Sequence, residues 1–299
     1  MKDQDRDNLY RLFRDHGDVL GTSGTALVAL ESFIASVRQV RCSADQLKGL
    51  VNELTTTIKS TEPRITPLIH LIEEFEAEMR DGYTEDVKAT KDRLIEVLQG
   101  KIDKQKDLLR RVVQHGRKCI ADGDVVIVYS TSAAVRDILL DAHREGKKIR
   151  VLILKQDFTK TRKLIWSVTG ADIDHQVIPE YNLSNFVASA NKVFLGAISI
   201  TPDQQAVCPL GTTEVVSLCH LRRIPVYLFA DSLKFSHRPS SEHCIHAKLE
   251  DLRQDDVSYS MTIHSHCLLN LDMIDYLVTE DGEIDKAAIE RYRCHPSAS

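Results

Sequence analysis

The apolar pattern of this chain changes period once, near residue 120, and that change constrains the fold more than any other feature. Before it, apolar residues recur at intervals of three and four, as on one face of a helix. The series are Leu9, Leu12 and Phe13; Ala26, Leu27, Leu30, Phe33, Ile34 and Val37; Leu47, Leu50, Val51, Leu54 and Ile58; Leu68, Leu71, Ile72, Phe75 and Met79; and Leu94, Leu98, Ile102, Leu109, Val112 and Val113. Ser43 and Gln46 have the spacing of a capping box, and Thr66-Pro67 reads as an N-cap followed by Pro at the first helical position. After Gly123 the apolar residues come in short unbroken runs: Val125-Val-Ile-Val-Tyr129, Ile149-Arg-Val-Leu-Ile-Leu154, Ile173 to Ile178, Lys192-Val-Phe-Leu-Gly-Ala197 and Ile224-Pro-Val-Tyr-Leu-Phe-Ala230. Such runs suit strands buried on both faces. Helical stretches around Val135-Ile138-Leu139, residues 164–168 and residues 212–221 separate them. Strands alternating with helices imply right-handed crossovers and a parallel sheet. The expected fold is α/β, an N-terminal helical domain over residues 1–120 followed by a Rossmann-like domain over 121–299 with a mostly parallel sheet.

A length of 299 residues agrees with two domains at roughly 100–200 residues each. With 44 acidic against 39 basic side chains the net charge is −5, which argues against binding nucleic acid through a net positive surface. No run of about 18 apolar residues marks a membrane span. The charged N-terminus, Met1-Lys-Asp-Gln-Asp-Arg-Asp, lacks the apolar core of a secretory signal. Seven scattered cysteines without a CxxC pair read as reduced thiols of a cytoplasmic protein.

In open parallel sheets, ligands bind beyond the carboxyl ends of the strands, which selects four loops. Ser130-Thr131-Ser132 ends a strand and opens a helix; its hydroxyls and the helix N–H groups could hold a phosphate, or one hydroxyl could simply cap the helix. The others are Lys155-Gln156-Asp157, Gly196-Ala197-Ile198-Ser199 and Asp231-Ser232-Leu233-Lys234-Phe235. Lys234 could reach an anion or stand in solvent. Neither GxGxxG nor GxxxxGK[ST] occurs, so no nucleotide cofactor motif is present. His237, His243, Cys244 and His246, with His264, His266 and Cys267 later, are zinc-ligand types, but their spacings match no strong zinc signature, and no metal is expected from them. No GxSxG marks a serine nucleophile, and no cysteine nucleophile stands out.

Taken in order, these segments resemble the alpha, beta and delta subunits of translation initiation factor 2B and the related sugar-phosphate isomerases. The resemblance rests on Gly196-Ala197, Gly211-Thr212, the strand ending at Ala230, Asp231-Ser-Leu-Lys-Phe235, and Leu271-Asp-Met-Ile-Asp-Tyr-Leu-Val-Thr-Glu-Asp-Gly282. It implies a ligand pocket built from Ser130, Thr131, Ser132, Lys155, Gly196, Ile198, Ser199, Gly211, Thr212 and Lys234. It also shows what has changed. The isomerases' catalytic Cys position aligns with Ser130, their catalytic Asp position with Ile198, and the family's Asn-Lys before Ile-Gly-Thr with Cys208-Pro209. A hydroxyl does not replace a tuned thiol and an alkyl group cannot exchange a proton, so the acid–base pair is gone.

The resemblance therefore implies a noncatalytic regulatory subunit of the alpha type, with a sugar phosphate or nucleotide in a vestigial pocket and no cofactor. The alternative is an isomerase-like enzyme with a rebuilt site, and a third reading is a scaffold without ligand. Homodimerisation, and membership of a larger translation-factor-like complex, are further implications. The apolar-rich residues 273–278 are a candidate patch for the dimer.

Overall fold

The computed structural model describes the backbone of residues 3–60, 64–129, 132–155, 158–243, 247–254 and 257–285, with Ile289 and Tyr292; side chains are described from Leu20 onward, except 247–254 and 263. Four helices come first: α1 (Asp3–Gln39), α2 (Ala44–Ser60), α3 (Thr66–Met79) and α4 (Val87–Gly116). The expected capping box forms at the start of α2, where Gln46 N–H donates to Ser43 Oγ and Ser43 N–H to Gln46 Oε1. Thr66 is not the cap of α3. It is the helix's own first residue, buried, with Ile65 before it and no side chain capping the end. Asp86 caps α4 through the N–H groups of Lys88 and Ala89.

The two helices expected at the N-terminus follow one another along α1 and meet at a break at Gly21, whose φ of 68° and ψ of 170° suit glycine alone. By length and composition Leu20–Gln39 is apolar enough to cross a membrane, although Thr22, Ser23, Thr25, Glu31 and Arg38 interrupt its apolar residues. Ala26, Leu30, Phe33, Ile34 and Val37 of this stretch are buried in the core formed with α2, α3 and α4, so its apolar face is already covered.

The second part holds β1 (Val125–Val128), α5 (Ala133–Arg144), β2 (Arg150–Lys155), α6 (Phe158–Gly170), β3 (Asp174–Pro179), β4 (Lys192–Gly196), β5 (Ser199–Ile200), β6 (Gln205–Pro209), α7 (Thr212–Leu221), β7 (Val226–Phe229), β8 (Ala247–Gln254), β9 (Val257–His264), β10 (His266–Asn270), β11 (Tyr276–Thr279) and β12 (Gly282–Ile284). The main sheet has the order β12-β11-β7-β4-β1-β2-β3, parallel except for β12. Its strands alternate between two cores. Ile127, Leu152, Val193, Leu195 and Leu228 face α7 and β6. Val126, Val128, Val151, Ile153, Phe194 and Phe229 face the end of α4, α5 and α6. Burial on both faces is why these strands read as unbroken apolar runs. Helix α4, about 45 Å long at 1.5 Å per residue, places Leu108 in the helical core and Val112 and Val113 in the sheet core, so one rod ties the two parts together.

Three features depart from the alternation of strands and helices. β5, β6 and β10 make a small antiparallel sheet in the order β10-β6-β5, and among the described residues β8 pairs only with β9. Two 3-10 turns, Glu180–Asn185 and Val187–Ser189, replace the short helix expected before β4. Residues 273–278 are not a surface patch: they enter β11 between β7 and β12, where Leu277 and Val278 are buried.

Candidate functional site

The carboxyl ends of β1, β4 and β7 meet the broken segment of α1 and form a cleft. It is lined by Gly21, Thr22, Ser23, Ser132, Asp231 and Lys234, over an apolar floor that includes Leu109 and Phe229. Its interior is about 20 Å³, the room of one water. The break at Gly21 turns the chain so that the next residues reach the strand ends. Ser23 Oγ donates to Asp231 Oδ2 at 3.3 Å, and Thr22 Oγ1 lies 3.5 Å from the Ile198 carbonyl. From α4, Gln105 Nε2 lies 3.5 Å from the same Asp231 oxygen. The other oxygen, Asp231 Oδ1, takes no hydrogen bond among the described residues, nor does Gln105 Oε1.

The loop after β7 is a 3-10 turn, Ser232–Lys234, held on both sides. Leu233 inserts into the helical core, and Ser232 N–H donates to both oxygens of buried Glu280 at 3.0 and 3.3 Å. This turns Lys234 inward, against the expectation of a solvated lysine. It is 6% exposed and its ammonium donates to the Ala197 carbonyl at 2.6 Å. Burial pushes the Asp231 carboxyl up and the Lys234 ammonium down, and their mutual attraction offsets this only in part. Burial also raises Glu280, with Asp231 adding repulsion. The site thus packs two carboxyls and one ammonium into an apolar seam.

The other expected residues divide. Ser130 and Thr131 lie outside the described residues, as do Gln156 and Asp157. Ser132 is the N-cap of α5, its hydroxyl accepting from Val135 N–H at 3.4 Å while its residue lines the cleft. Lys155 is exposed at the end of β2 and does not line the cleft. Gly196 is buried at the end of β4. Ile198 donates its N–H to the Val207 carbonyl, tying β4 to the small sheet, and Ser199 is wholly buried with no hydrogen bond to its hydroxyl. Gly211 and Thr212 have structural duties. Gly211 takes φ 90° ahead of α7, and a Cβ there would sit 2.3 Å from the Tyr129 hydroxyl. That hydroxyl lies 2.5 Å from Glu180 Oε2 and 2.6 Å from the Leu210 carbonyl, while Thr212 Oγ1 donates to Pro209 at 2.6 Å.

Sequence reasoning missed Ser23 and Gln105 and gave Asp231 no role of its own. The available signal was Gly21-Thr-Ser-Gly-Thr25, small and polar inside an otherwise helical, apolar stretch.

A family model described as the initiation factor 2 subunit family matches residues 18–284. The chain is 27% identical over 226 residues to a translation initiation factor eIF-2B subunit 2-like protein of Pyrococcus furiosus, covering 75% of this chain and 77% of that one. It is 22% identical over 182 residues, 58% of each chain, to a ribose 1,5-bisphosphate isomerase of Archaeoglobus fulgidus. Among solved structures, the translation initiation factor eIF-2B of Pyrococcus horikoshii OT3 shares the fold with a TM-score of 0.77 at 21% identity, over 95% of this chain and 98% of that one. The tetrameric eIF2B-beta2-delta2 complex of C. thermophilum has a chain with a TM-score of 0.66 at 16% identity, over 95% of this chain and 91% of that one. The match over residues 18–284 takes in both the helices and the parallel sheet, and this protein belongs to the initiation factor 2 subunit family.

Proposed function

We propose that this chain is a noncatalytic regulatory subunit resembling the alpha-type subunit of initiation factor 2B, a cytoplasmic protein working by assembly and by binding a sugar phosphate or nucleotide at the strand-end cleft, which widens from its one-water interior to admit the ligand. One observation carries the noncatalytic half of the reading: the ammonium of Lys234 and one oxygen of Asp231 are engaged within the chain, while Asp231 Oδ1 and Gln105 Oε1 stay open toward a ligand. Lys234 is held by Ala197, Asp231 by Ser23 and Gln105, and the residue after Ala197 is Ile198, whose side chain offers no proton. Turnover of ribose 1,5-bisphosphate or methylthioribose 1-phosphate should be absent, while a phosphorylated metabolite should raise the thermal midpoint. Robust turnover refutes the reading. The absence of any shift across nucleoside monophosphates and sugar phosphates removes the ligand and leaves the scaffold.

Assembly has separate support. β8–β9 joins neither sheet, and on β9 Val257, Tyr259 and Met261 alternate along one face, all exposed. A two-stranded hairpin is marginal alone, and an apolar row of this kind suits a second copy of the chain. Light scattering at two concentrations should give a dimer, and a monomer at both counts against it.

A specific observation favours an enzyme as the second reading. Asp231 is a carboxyl raised by burial at a cleft, as a general acid or base requires. Turnover abolished by Asp231→Asn would establish it.

A further inference from the structure

We propose a divalent-metal site, fit for Zn²⁺, formed by His70, Glu73 and His237 on the far side of the turn that carries Lys234. His70 and Glu73 are three residues apart on α3, so they share one helix face. The third ligand comes from the sheet part: Leu233 is anchored in the helical core, and the chain leaving that turn brings His237 back over α3. The donor atoms of the three residues lie within 4.8 Å of one another. The rings of His70 and His237 stand 4.8 Å apart between centroids, at 46°. Two imidazoles on one tetrahedral zinc, with Zn–N of about 2.0–2.1 Å, place their centroids about 5 Å apart, so the observed separation needs little change.

Donor atoms on one tetrahedral zinc lie about 3.3 Å apart, so the three, all within 4.8 Å of one another, close by up to about 1.5 Å on binding. Glu73 and His237 are exposed and free to move by rotamer changes, while His70 is buried and fixes the position. Two imidazoles and one carboxylate are the ligand types zinc takes in open sites, leaving a fourth position to water. The sequence hid this site because its ligands lie far apart: His70 falls within the apolar period of a core helix, and His237 sits among histidines of unhelpful spacing. A metal here would pin the helices to the segment three residues beyond Lys234, joining its occupancy to the geometry of the cleft.

The test is calorimetric titration of the untagged full chain with Zn²⁺, with the thermal midpoint and the visible spectrum of the Co²⁺ form as second readouts. Saturable binding of one ion per chain, a rise in midpoint and a tetrahedral Co²⁺ spectrum are expected. His237→Ala and Glu73→Gln, both at exposed positions, should each weaken binding about tenfold or more and lose the rise in midpoint. His220→Ala, whose ring contacts the Met273 carbonyl instead, should leave binding unchanged. Affinity unaltered in both His237→Ala and Glu73→Gln, or the absence of saturable binding, overturns the site.

Discussion

Lys234 separates two accounts of the cleft most sharply, and Lys234→Met tests them. A solvated lysine can be replaced within about 0.5 kcal/mol. The buried one loses a charge-assisted bond to the Ala197 carbonyl, worth about 1.5–3 kcal/mol, and leaves Asp231 without the ammonium that attracts it. Breaking a buried pair in this way costs about 3–5 kcal/mol in total. With a urea slope of about 3 kcal/mol/M, the midpoint followed by far-UV circular dichroism should fall by about 1 M or more. The loss should also depend on pH. Both carboxyls titrate above their unfolded values, so the folded state is favoured below the unfolded carboxylate range and loses that advantage as pH climbs through their folded values. Removing the ammonium raises Asp231 further, so Lys234→Met should be more damaging at pH 8 than at pH 5. Lys234→Met with Asp231→Asn should regain about 1–3 kcal/mol over Lys234→Met alone. A midpoint within error of wild type at both pH values refutes the buried-cluster account.

Three further outcomes are expected. Gly211→Ala should cost about 2–4 kcal/mol, because a side chain there adopts φ 90° and displaces the Tyr129 hydroxyl; denaturant unfolding against the Tyr129→Phe background, where the clash is relieved, separates the two contributions. At Asp203, slight burial opposes ionisation, but hydrogen bonds from Ser240 and Thr201 outweigh it and hold the carboxyl at about 2. Its small, solvent-screened contribution to stability is present above the unfolded pKa and lost as pH falls through 2, and an NMR titration of the Ser240→Ala variant should find it moved up toward the ordinary value. Burial raises both Cys208 and Cys219, the latter to about 12, so mass spectrometry after a brief native thiol-labelling pulse should find both unmodified, and both labelled once urea unfolds the chain.

The parallel sheet was legible because strands buried on both faces leave nothing for the sequence to alternate with, and Val125-Val-Ile-Val or Ile224 to Ala230 can serve little else. The helices were legible for the same reason at a different period. What escaped was set by tertiary contact. Ser199-Ile-Thr-Pro-Asp is too polar and short to announce β5, which exists because β6 and β10 pair beside it. By contrast Val257-Ser-Tyr-Ser-Met-Thr-Ile263 alternates plainly and is a strand signal that a search for crossover helices passes over. Strand ends follow a topological rule, which is why the loops after β1 and β7 could be named from the sequence. The orientation of the cleft's residues was not legible, because whether Lys234 faces water or Asp231 depends on Leu233, which is drawn into a core whose other members all precede residue 109. Ser23 and Gln105 come from helices whose period alone says only which face is apolar.

The break at Gly21 also has a thermodynamic consequence. The rod that restarts at Thr22 presents its positive end toward the strand ends, the place where a bound phosphate gains most. The chain already supplies an anion near that end, the Asp231 carboxylate beside Ser23. Under the proposed binding role, an anionic ligand competes with that internal anion and drives it toward its neutral form. Binding is then linked to proton uptake, and affinity falls with rising pH once Asp231 is ionised. Calorimetry of the same ligand in two buffers of different ionisation enthalpy reads that proton directly. Equal enthalpies in the two buffers would place the ligand away from the helix start.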